Sequence, residues 1–380
     1  MPEGDAVPNL PVLTRSAGLD ALAAFLAGRG AAYAADRNTD PGSEPTTSAL
    51  SPYLRRRLLT EEEVVRAALD ALGERGSEAF IAEVFWRTYF KGHLETHPEA
   101  WSRYRVGLAD ARARLAAEPG LRRTYDRAVE GRTGIDGFDS WAGQLVEAGW
   151  LHNHVRMWFA SIWIFTLRLP WELGADHFLR HLLDGDPASN TLSWRWVAGL
   201  HTRGKHYLAR RENIRRYTQG RHEPAGLDEE AGPLEETIPP REVPLSRADA
   251  PPDGPVALLM HLDDLHPESL PLGRAEVVRV WGLLAHADGA MERVRAADAA
   301  AMADGLGRAA AHFGCPAEPA PAGWTEDVPV VAAWAPVGPS ADVLPSRCQR
   351  VRRPWDERAW PLSTRGFFRL KRAIPDLTGA

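Results

Sequence analysis

Residues 223–254 carry seven prolines and nine acidic side chains against two arginines. Proline fixes its own φ and lacks an amide hydrogen, and carboxylates at this density repel one another, so the stretch favours neither helix nor sheet. It reads as an acidic, proline-rich linker, and it partitions the chain into a lead-in at 1–32, a block at 33–222, the linker at 223–254 and a block at 255–380. In the first block, apolar residues recur three and four positions apart over 61–72, 78–95, 141–165 and 171–183, which predicts amphipathic helices. The second block differs: PVALLM (255–260) and VPVVAAW (328–334) read as buried strands, with helical patterns around 275–286 and 290–312. The expected fold is mostly α, an all-helical domain followed by a small α/β C-terminal block.

Several function classes drop out early. Two cysteines, Cys315 and Cys348, cannot build a disulfide framework or a four-cysteine metal centre. His93 and His97 at i, i+4 read as helix surface, and HLDDLHPE (261–268) reads as an acidic loop after a strand, so no metal site is expected. The longest apolar stretch, 157–166, stops at Arg168 and Pro170, short of the ~20 residues that span a bilayer. The opening MPEGDAVPNL has no basic region leading into an apolar one, and the expected location is cytoplasmic. Net charge is −6, yet it is uneven. Residues 51–222 hold 26 Lys+Arg against 21 Asp+Glu (+5), leaving 19 against 30 (−11) elsewhere. Within the basic part, Arg203, Lys205, Arg210, Arg211, Arg215, Arg216 and Arg221 face one acid, Glu212, a run suited either to phosphates or to plain solvation.

Nine of the fourteen tryptophans also fall in 51–222, at 86, 101, 141, 150, 158, 163, 171, 194 and 196. Taken singly, each is most simply core. Their polar neighbours are more informative. Glu83, Trp86, Arg87 and Phe90 fall at i, i+3, i+4 and i+7, placing a carboxylate, an indole and a guanidinium on one helix face. Asn153, Arg156 and Met157 share a face by the same arithmetic. LLDGDPASN brings Asp184, Asp186 and Asn190 close together, as acceptors for Arg156 or for ligand N–H groups. In TTSALSP, the hydroxyls of Thr47, Ser48 and Ser51 precede Pro52, with Ser51 suited to an N-cap and the helix start to a phosphate. A phosphate-binding rim, a polar floor and aromatic walls suit a dinucleotide with a flat heterocycle, and FAD is the natural candidate. No GxGxxG fingerprint is present, so the dinucleotide would be held without a Rossmann turn.

Over residues 33–221 the chain resembles the FAD-binding helical domain of the photolyase/cryptochrome family, on the motifs AAYAADRN, TTSALSPYLR, EVFWRTYF, GRTG with GWLHNHVRM, and DGDPASNTLSWRW. The resemblance implies that Tyr33, Thr47, Ser48, Leu50 and Ser51 hold the FAD diphosphate and ribityl chain, with Arg87 and Asn153 also contacting the cofactor. It implies that Arg156 pairs with Asp184 beside the isoalloxazine, that Asp186 bonds the flavin and that Asn190 faces its N5. Glu83, Trp86, Asn153 and Met157 would then be the catalytic residues around the damaged bases, and Asn153 followed by Met157 is nearer the cyclobutane-dimer class than the (6-4) class. Trp194 and Trp171 match the first two members of an electron relay. Ala109 stands at the third, so Trp101, Tyr104 or Trp158 would substitute. The sequence departs from the family at Ala49 and Gly143, each in place of Arg, at Arg56 and Arg57 in place of Phe-Gly, and at His154 in place of a lesion-side Arg. There is no room ahead of Tyr33 for the family's antenna domain, and no antenna pigment is expected.

The implied activity is light-driven electron transfer from reduced FAD to cyclobutane pyrimidine dimers, a deoxyribodipyrimidine photolyase-like lyase whose DNA contacts include Arg203, Lys205, Arg210 and Arg211. The alternatives are a cryptochrome-like blue-light or redox sensor signalling through a protein partner on the C-terminal block, or a flavin-binding scaffold without photochemistry.

Overall fold

A computed structural model of the chain describes residues 11–42, 45–202 and 204–379. In chain order the helices are α1 (Arg15–Ala27), α2 (Tyr33–Asp36), α3 (Ser51–Arg55), α4 (Glu61–Thr96), α5 (Glu99–Ala117), α6 (Pro119–Val129), α7 (Phe138–Ala148) and α8 (Asn153–Ser161). They continue as α9 (Trp171–His181), α10 (Pro187–Ala198), α11 (Arg211–Tyr217), α12 (Glu292–Phe313), α13 (Pro339–Val343), α14 (Pro354–Ala359), α15 (Gly366–Arg372) and α16 (Ile374–Thr378). The strands are β1 (Gly254–His261), β2 (Ala275–Leu283), β3 (Ala317–Pro319), β4 (Val330–Ala333) and β5 (Gln349–Val351). The described chain packs as two compact units, neither continuous in sequence: one holds residues 32–49 and 99–241, the other 11–31, 50–98 and 242–380. Residues 255–380 therefore share a unit with α1, α3 and α4.

In that second unit, α4 starts on a capping box. Thr60 Oγ1 accepts from the Glu63 amide while the Thr60 amide donates to Glu63 Oε2 at 2.8 Å. The two expected helices 61–72 and 78–95 are one 36-residue helix, kinked where Gly73 turns to φ 68°. The expected helix over 141–165 is instead broken. Gly149 closes α7 in the left-handed region at φ 64°, α8 restarts at Asn153, and a π-turn at Ile162–Thr166 follows it.

The C-terminal strands form one parallel sheet in the order β3-β2-β1-β4-β5. The helical pattern expected around 275–286 is strand β2, and the reason is visible in its composition. Val277, Val278 and Val280 are β-branched, exposure alternates along its first half, and the strand is flanked on both sides by β1 and β3. The strands expected at 255–260 and 328–334 are β1 and β4, and the helix expected at 290–312 is α12.

Strand order reverses between β1 and β4, the place where sheets of this kind open a crevice beyond their carboxyl ends. Here His261 is bonded through Nε2 to the Ala333 carbonyl at 2.9 Å, and side chains from α3, the α3–α4 turn and α14 fill the space after β1. Arg55 donates to Asp263 at 2.6 Å, and Arg353 grips Asp264 with two bonds of 2.6 and 2.8 Å. Arg57, 2% exposed, reaches Asp356 at 2.7 Å, Glu61 at 3.0 Å and Asp264 at 3.4 Å. Arg56 donates to Asp298 of α12 at 2.7 Å. Burial pushes the Asp264 carboxyl up, but Arg353 and Arg57 outweigh it and hold the group well below the usual carboxylate range. The carboxylates of HLDDLHPE are thus committed to arginines, and among the described residues no three His, Cys, Asp or Glu side chains gather as metal ligands would.

Residues 222–253 contain no helix or strand, yet they are pinned. Within the first unit, the Leu234 amide bonds the Ala198 carbonyl at 2.9 Å, Arg195 pairs with Glu236 at 2.6 Å, and Arg211 pairs with Glu223 at 2.8 Å. Within the second, the Val243 amide bonds Thr96 O at 2.7 Å and the Arg350 amide bonds Asp249 at 2.8 Å. No helix of the described residues is long and apolar enough to cross a membrane.

Glu95, near the end of α4, accepts from Trp334 Nε1 at 3.1 Å and from the Val337 amide at 2.8 Å. Burial lifts its carboxyl to about 7, against the opposing pull of those two bonds and of Arg352. An acid with a raised folded pKa binds its proton more tightly in the folded state, so this group costs stability as pH climbs from its unfolded value towards 7. Glu95→Gln removes that term. Relative to wild type, the variant is expected to gain on the order of 3 kcal/mol between pH 4 and pH 8, read from denaturant midpoints across pH; parallel profiles would refute the assignment.

Candidate functional site

The first unit assembles the polar floor expected from the sequence. α8 opens at Asn153, which is exposed, and the side chain of its N-cap His152 accepts from the His154 amide at 3.1 Å. One turn on, Arg156 donates through Nη2 to Asp184 Oδ2 at 2.9 Å and through Nε to the Leu151 carbonyl at 2.9 Å. The Asp184 side chain is 2% exposed and that of Arg156 is 23% exposed, so the pair is sheltered enough for its charge to matter. Met157, half-buried, follows Arg156 on the same face. Asp186 caps α10 by accepting from the Ser189 amide at 2.7 Å, with Pro187 in the first turn. Asn190 is buried and donates through Nδ2 to the Ala175 carbonyl at 2.9 Å, which leaves Oδ1 as the acceptor for an N–H donor. Tyr33 is buried at the start of α2, and Thr47 and Ser48 are half-buried just before Ala49, whose φ is 56°. Burial drives His152 down to about 4, so its ring is neutral at pH 7.

His154, where the resemblance implies an arginine, is held by its neighbours. Its ring stacks on Trp158 at 4.4 Å between centroids and bonds the Asn38 carbonyl at 2.9 Å, so it is a packing residue of this unit.

Leu50, Ser51, Glu83, Trp86 and Arg87 belong to the second unit. Leu50, not Ser51, is the N-cap position of α3; it is fully buried and has no side-chain cap bond, and Ser51 is the first helical residue. On α4 the face carrying Glu83, Trp86, Arg87 and Phe90 is half-buried, while Val84, Phe85, Thr88 and Tyr89 point into the unit. The indole of Trp86 stacks on Phe367 of α15, with ring centroids 3.8 Å apart and planes 13° from parallel. One face of that indole is therefore covered by the chain's own C-terminal segment. Nothing in the local pattern of GFFR marks this partner 281 positions away. His93 and His97 stack at 4.1 Å, with His93 Nδ1 bonded to the Ser363 carbonyl at 3.0 Å, and serve packing.

The candidate relay resolves within the first unit. Trp194 is 2% exposed and packs where α9 has Gly174: a Cβ there would lie 2.3 Å from the Trp194 ring. Trp171 has the Tyr104 ring at 5.7 Å, and Tyr104 has Trp101 at 5.2 Å, whereas Ala109 is exposed. Trp158 sits in another cluster with Trp141 and His154. Of the three expected substitutes, Tyr104 is the one beside Trp171, with Trp101 beyond it. Burial, with the charges of Asp176 and Glu172, pushes the Tyr104 phenol far up.

The basic run is partly spoken for. Arg211 pairs with Glu223, Arg215 with Glu212 and Arg221 with Asp40, while Lys205, Arg210 and Arg216 are exposed; Arg203 lies outside the described residues.

Residues 80–226 match the family model described as the FAD binding domain of DNA photolyase. The chain is 36% identical over 211 residues to the deoxyribodipyrimidine photo-lyase of Streptomyces griseus, covering 53% of this chain and 43% of that one. To the Escherichia coli K12 protein of the same name it is 33% identical over 164 residues, covering 43% and 33%. Among solved structures, a bacterial class III photolyase from Agrobacterium tumefaciens aligns with a TM-score of 0.46 at 26% identity over 54% of this chain and 43% of that one. Over residues 80–226 the chain thus matches a photolyase-type FAD-binding domain, and it spans less than half the length of these curated relatives. The residues present fit the cofactor. On α10, Ser189 Oγ and Thr191 Oγ1, on either side of Asn190 in sequence, are buried without a hydrogen-bond partner among the described residues, as a polar ligand would require.

Asp184→Asn leaves Arg156 facing a neutral amide. FAD retained by purified protein is expected to fall at least about tenfold, the loss of one charge-assisted bond of roughly 1.5–3 kcal/mol, measured by the flavin-to-protein absorbance ratio. Unchanged occupancy would remove this pair from the site.

Proposed function

We propose that this chain is a photolyase-like lyase that repairs cyclobutane pyrimidine dimers in DNA with light. The observation that carries the reading is the buried Asn190 amide in the same unit as the Arg156–Asp184 pair. An amide accepts from a protonated ring nitrogen without taking its proton, which suits a flavin kept in its reduced state. Bound and reduced, FAD would supply the photoexcited electron that opens the cyclobutane ring and then returns. In this reading Tyr33, Thr47, Ser48, Leu50, Ser51, Arg87 and Asp186 hold the cofactor. Glu83 accepts from the N–H groups of the damaged bases, Trp86 offers them a stacking surface on the face that Phe367 does not take, and Asn153 and Met157 line the base of the lesion site. Trp194, Trp171, Tyr104 and Trp101 pass electrons inward to restore the reduced cofactor. Lys205 and Arg210, exposed and lacking salt bridges among the described residues, meet DNA phosphates, with Arg203 and Arg211 beside them in sequence.

A sensor role, cryptochrome-like, is the second reading, and His154 favours it: its ring is packed on Trp158 at the position where the family's arginine would face a lesion.

Reduced, illuminated protein is expected to restore dimer-containing oligonucleotide, and Glu83→Ala to slow repair about 10- to 100-fold, the cost of one hydrogen bond at a charge-bearing site, with FAD retained. Intact dimers after illumination, together with a light-dependent change in association state, would favour the sensor. Tyr104→Phe removes the one phenol of the proposed path. It is expected to slow photoreduction of oxidised flavin while leaving repair by chemically reduced protein unchanged; an unaltered photoreduction rate would take Tyr104 off the path.

A further inference from the structure

Helix α15 divides its side chains sharply. Inward, Phe367 stacks on Trp86, Leu370 is fully buried, and Lys371 reaches Glu78 at 3.4 Å. Outward, Arg365 at the N-cap position, Phe368, Arg369 and Arg372 fall at i, i+3, i+4 and i+7, and all four are exposed. Phe368 is 75% exposed, more than any other large hydrophobic side chain among the described residues. Among those residues, none of the three arginines has a carboxylate within salt-bridge reach, and Arg369 makes one long bond to Thr364 Oγ1 at 3.4 Å. Several arginines on other helix surfaces are paired three or four positions along the chain, Arg66 with Glu62, Arg114 with Glu118, Arg122 with Asp126 and Arg295 with Glu292, whereas Arg75, Arg123 and Arg216 are exposed and lack a salt bridge among the described residues. What sets α15 apart is that three such guanidinium groups share one face with the most exposed large hydrophobic side chain among the described residues.

An aromatic ring flanked by unpaired guanidinium groups presents stacking area and phosphate-matching donor forks on one surface. Seven residues of helix extend over about 10 Å, enough to meet more than one phosphate of a strand. We propose that this face of α15 binds single-stranded nucleic acid, with Phe368 stacking on an unpaired base and Arg365, Arg369 and Arg372 meeting the backbone. It deepens the proposed function, from which it takes the choice of polymer, by adding a nucleic-acid contact on an element distinct from the basic run at 201–221. The anchored inner face holds the ring outward: Phe367 and Leu370 spend the apolar surface of the helix on the unit, so Phe368 has nowhere to bury within it.

The test uses the full-length flavoprotein in the dark, with labelled, undamaged oligothymidylate and fluorescence anisotropy at several salt concentrations. Replacing Arg365, Arg369 and Arg372 together by Gln is expected to weaken binding at least about tenfold and to reduce the log–log salt slope by about 2, near 0.7 for each lost single-strand phosphate contact. Phe368→Ala is expected to weaken binding about fivefold or more, and Phe368→Trp to preserve it. All four side chains are exposed, so unfolding midpoints equal to wild type accompany these losses. Binding that is absent in wild type, or identical in wild type and variants, overturns the proposal. So does arginine-dependent capture of phosphatidylserine vesicles without any effect on oligothymidylate. The outcome is separable from the repair reading: failed repair with α15-dependent strand binding refutes the activity alone, and intact repair with unchanged strand binding refutes this surface alone.

Discussion

Three consecutive guanidinium groups, those of Arg55, Arg56 and Arg57, organise the second unit. A charge withdrawn from water must find opposite charge and hydrogen bonds nearby, and these three find them on α4, α12, α14 and the segment after β1. Arg55 takes Asp263 beyond β1, Arg56 takes Asp298 on α12, and Arg57 takes Glu61 on α4, Asp264 beyond β1 and Asp356 on α14. The backbone adds to the demand, because Arg57 adopts φ 49°, a left-handed conformation that costs a residue with a Cβ about 1–2 kcal/mol. The family resemblance places Phe-Gly at 56–57, where a glycine would take that conformation without strain. This chain accepts the strain and sets there a side chain that links four elements.

Much of the α-helical part was legible because its signals are local. Apolar spacing marked α4, α9 and α12, and the capping box at Thr60 and Glu63 and the glycines at 73 and 149 mark where helices start, bend and stop. The Arg156–Asp184 pair was legible through the family resemblance, the residues alone offering Asp184 only as one possible acceptor in the short turn before α10. What escaped depends on partners far along the chain. β2 was read as a helix because its valines satisfy both periods over a short window, and its neighbours β1 and β3 decide the matter. β3 and β5, at three residues each, are too short to leave a pattern. The stacking of Phe367 on Trp86 has no sequence signature at all, and the choice among Trp101, Tyr104 and Trp158 rests on ring distances that helix packing sets. The helix start at TTSALSP was nearly right: the turn is there, but the hydroxyl of Ser51 lies one position inside it.

The uneven charge also acquires a structural meaning. The acidic segment after residue 222 returns its carboxylates to arginines of the first unit: Glu223 to Arg211, Asp228 to Arg168, Glu236 to Arg195. Arg195, 2% exposed, lies 5.9 Å from the Trp171 ring, so Glu236 neutralises a cation held against the candidate relay. A stretch whose composition forbids helix and strand still has a defined path, because its charges rather than its backbone specify it.

The bond between Arg57 and Asp356 joins residues 299 positions apart. A ribosome adding roughly 5–20 residues each second delivers Asp356 some 15–60 s after Arg57 has been made. Through that interval α3 and α4 exist without the C-terminal helices that pack on α4, while the first unit is completed. The order of manufacture therefore leaves half a core, with its strained arginine, waiting in the nascent chain. The last third of the polypeptide is what closes it.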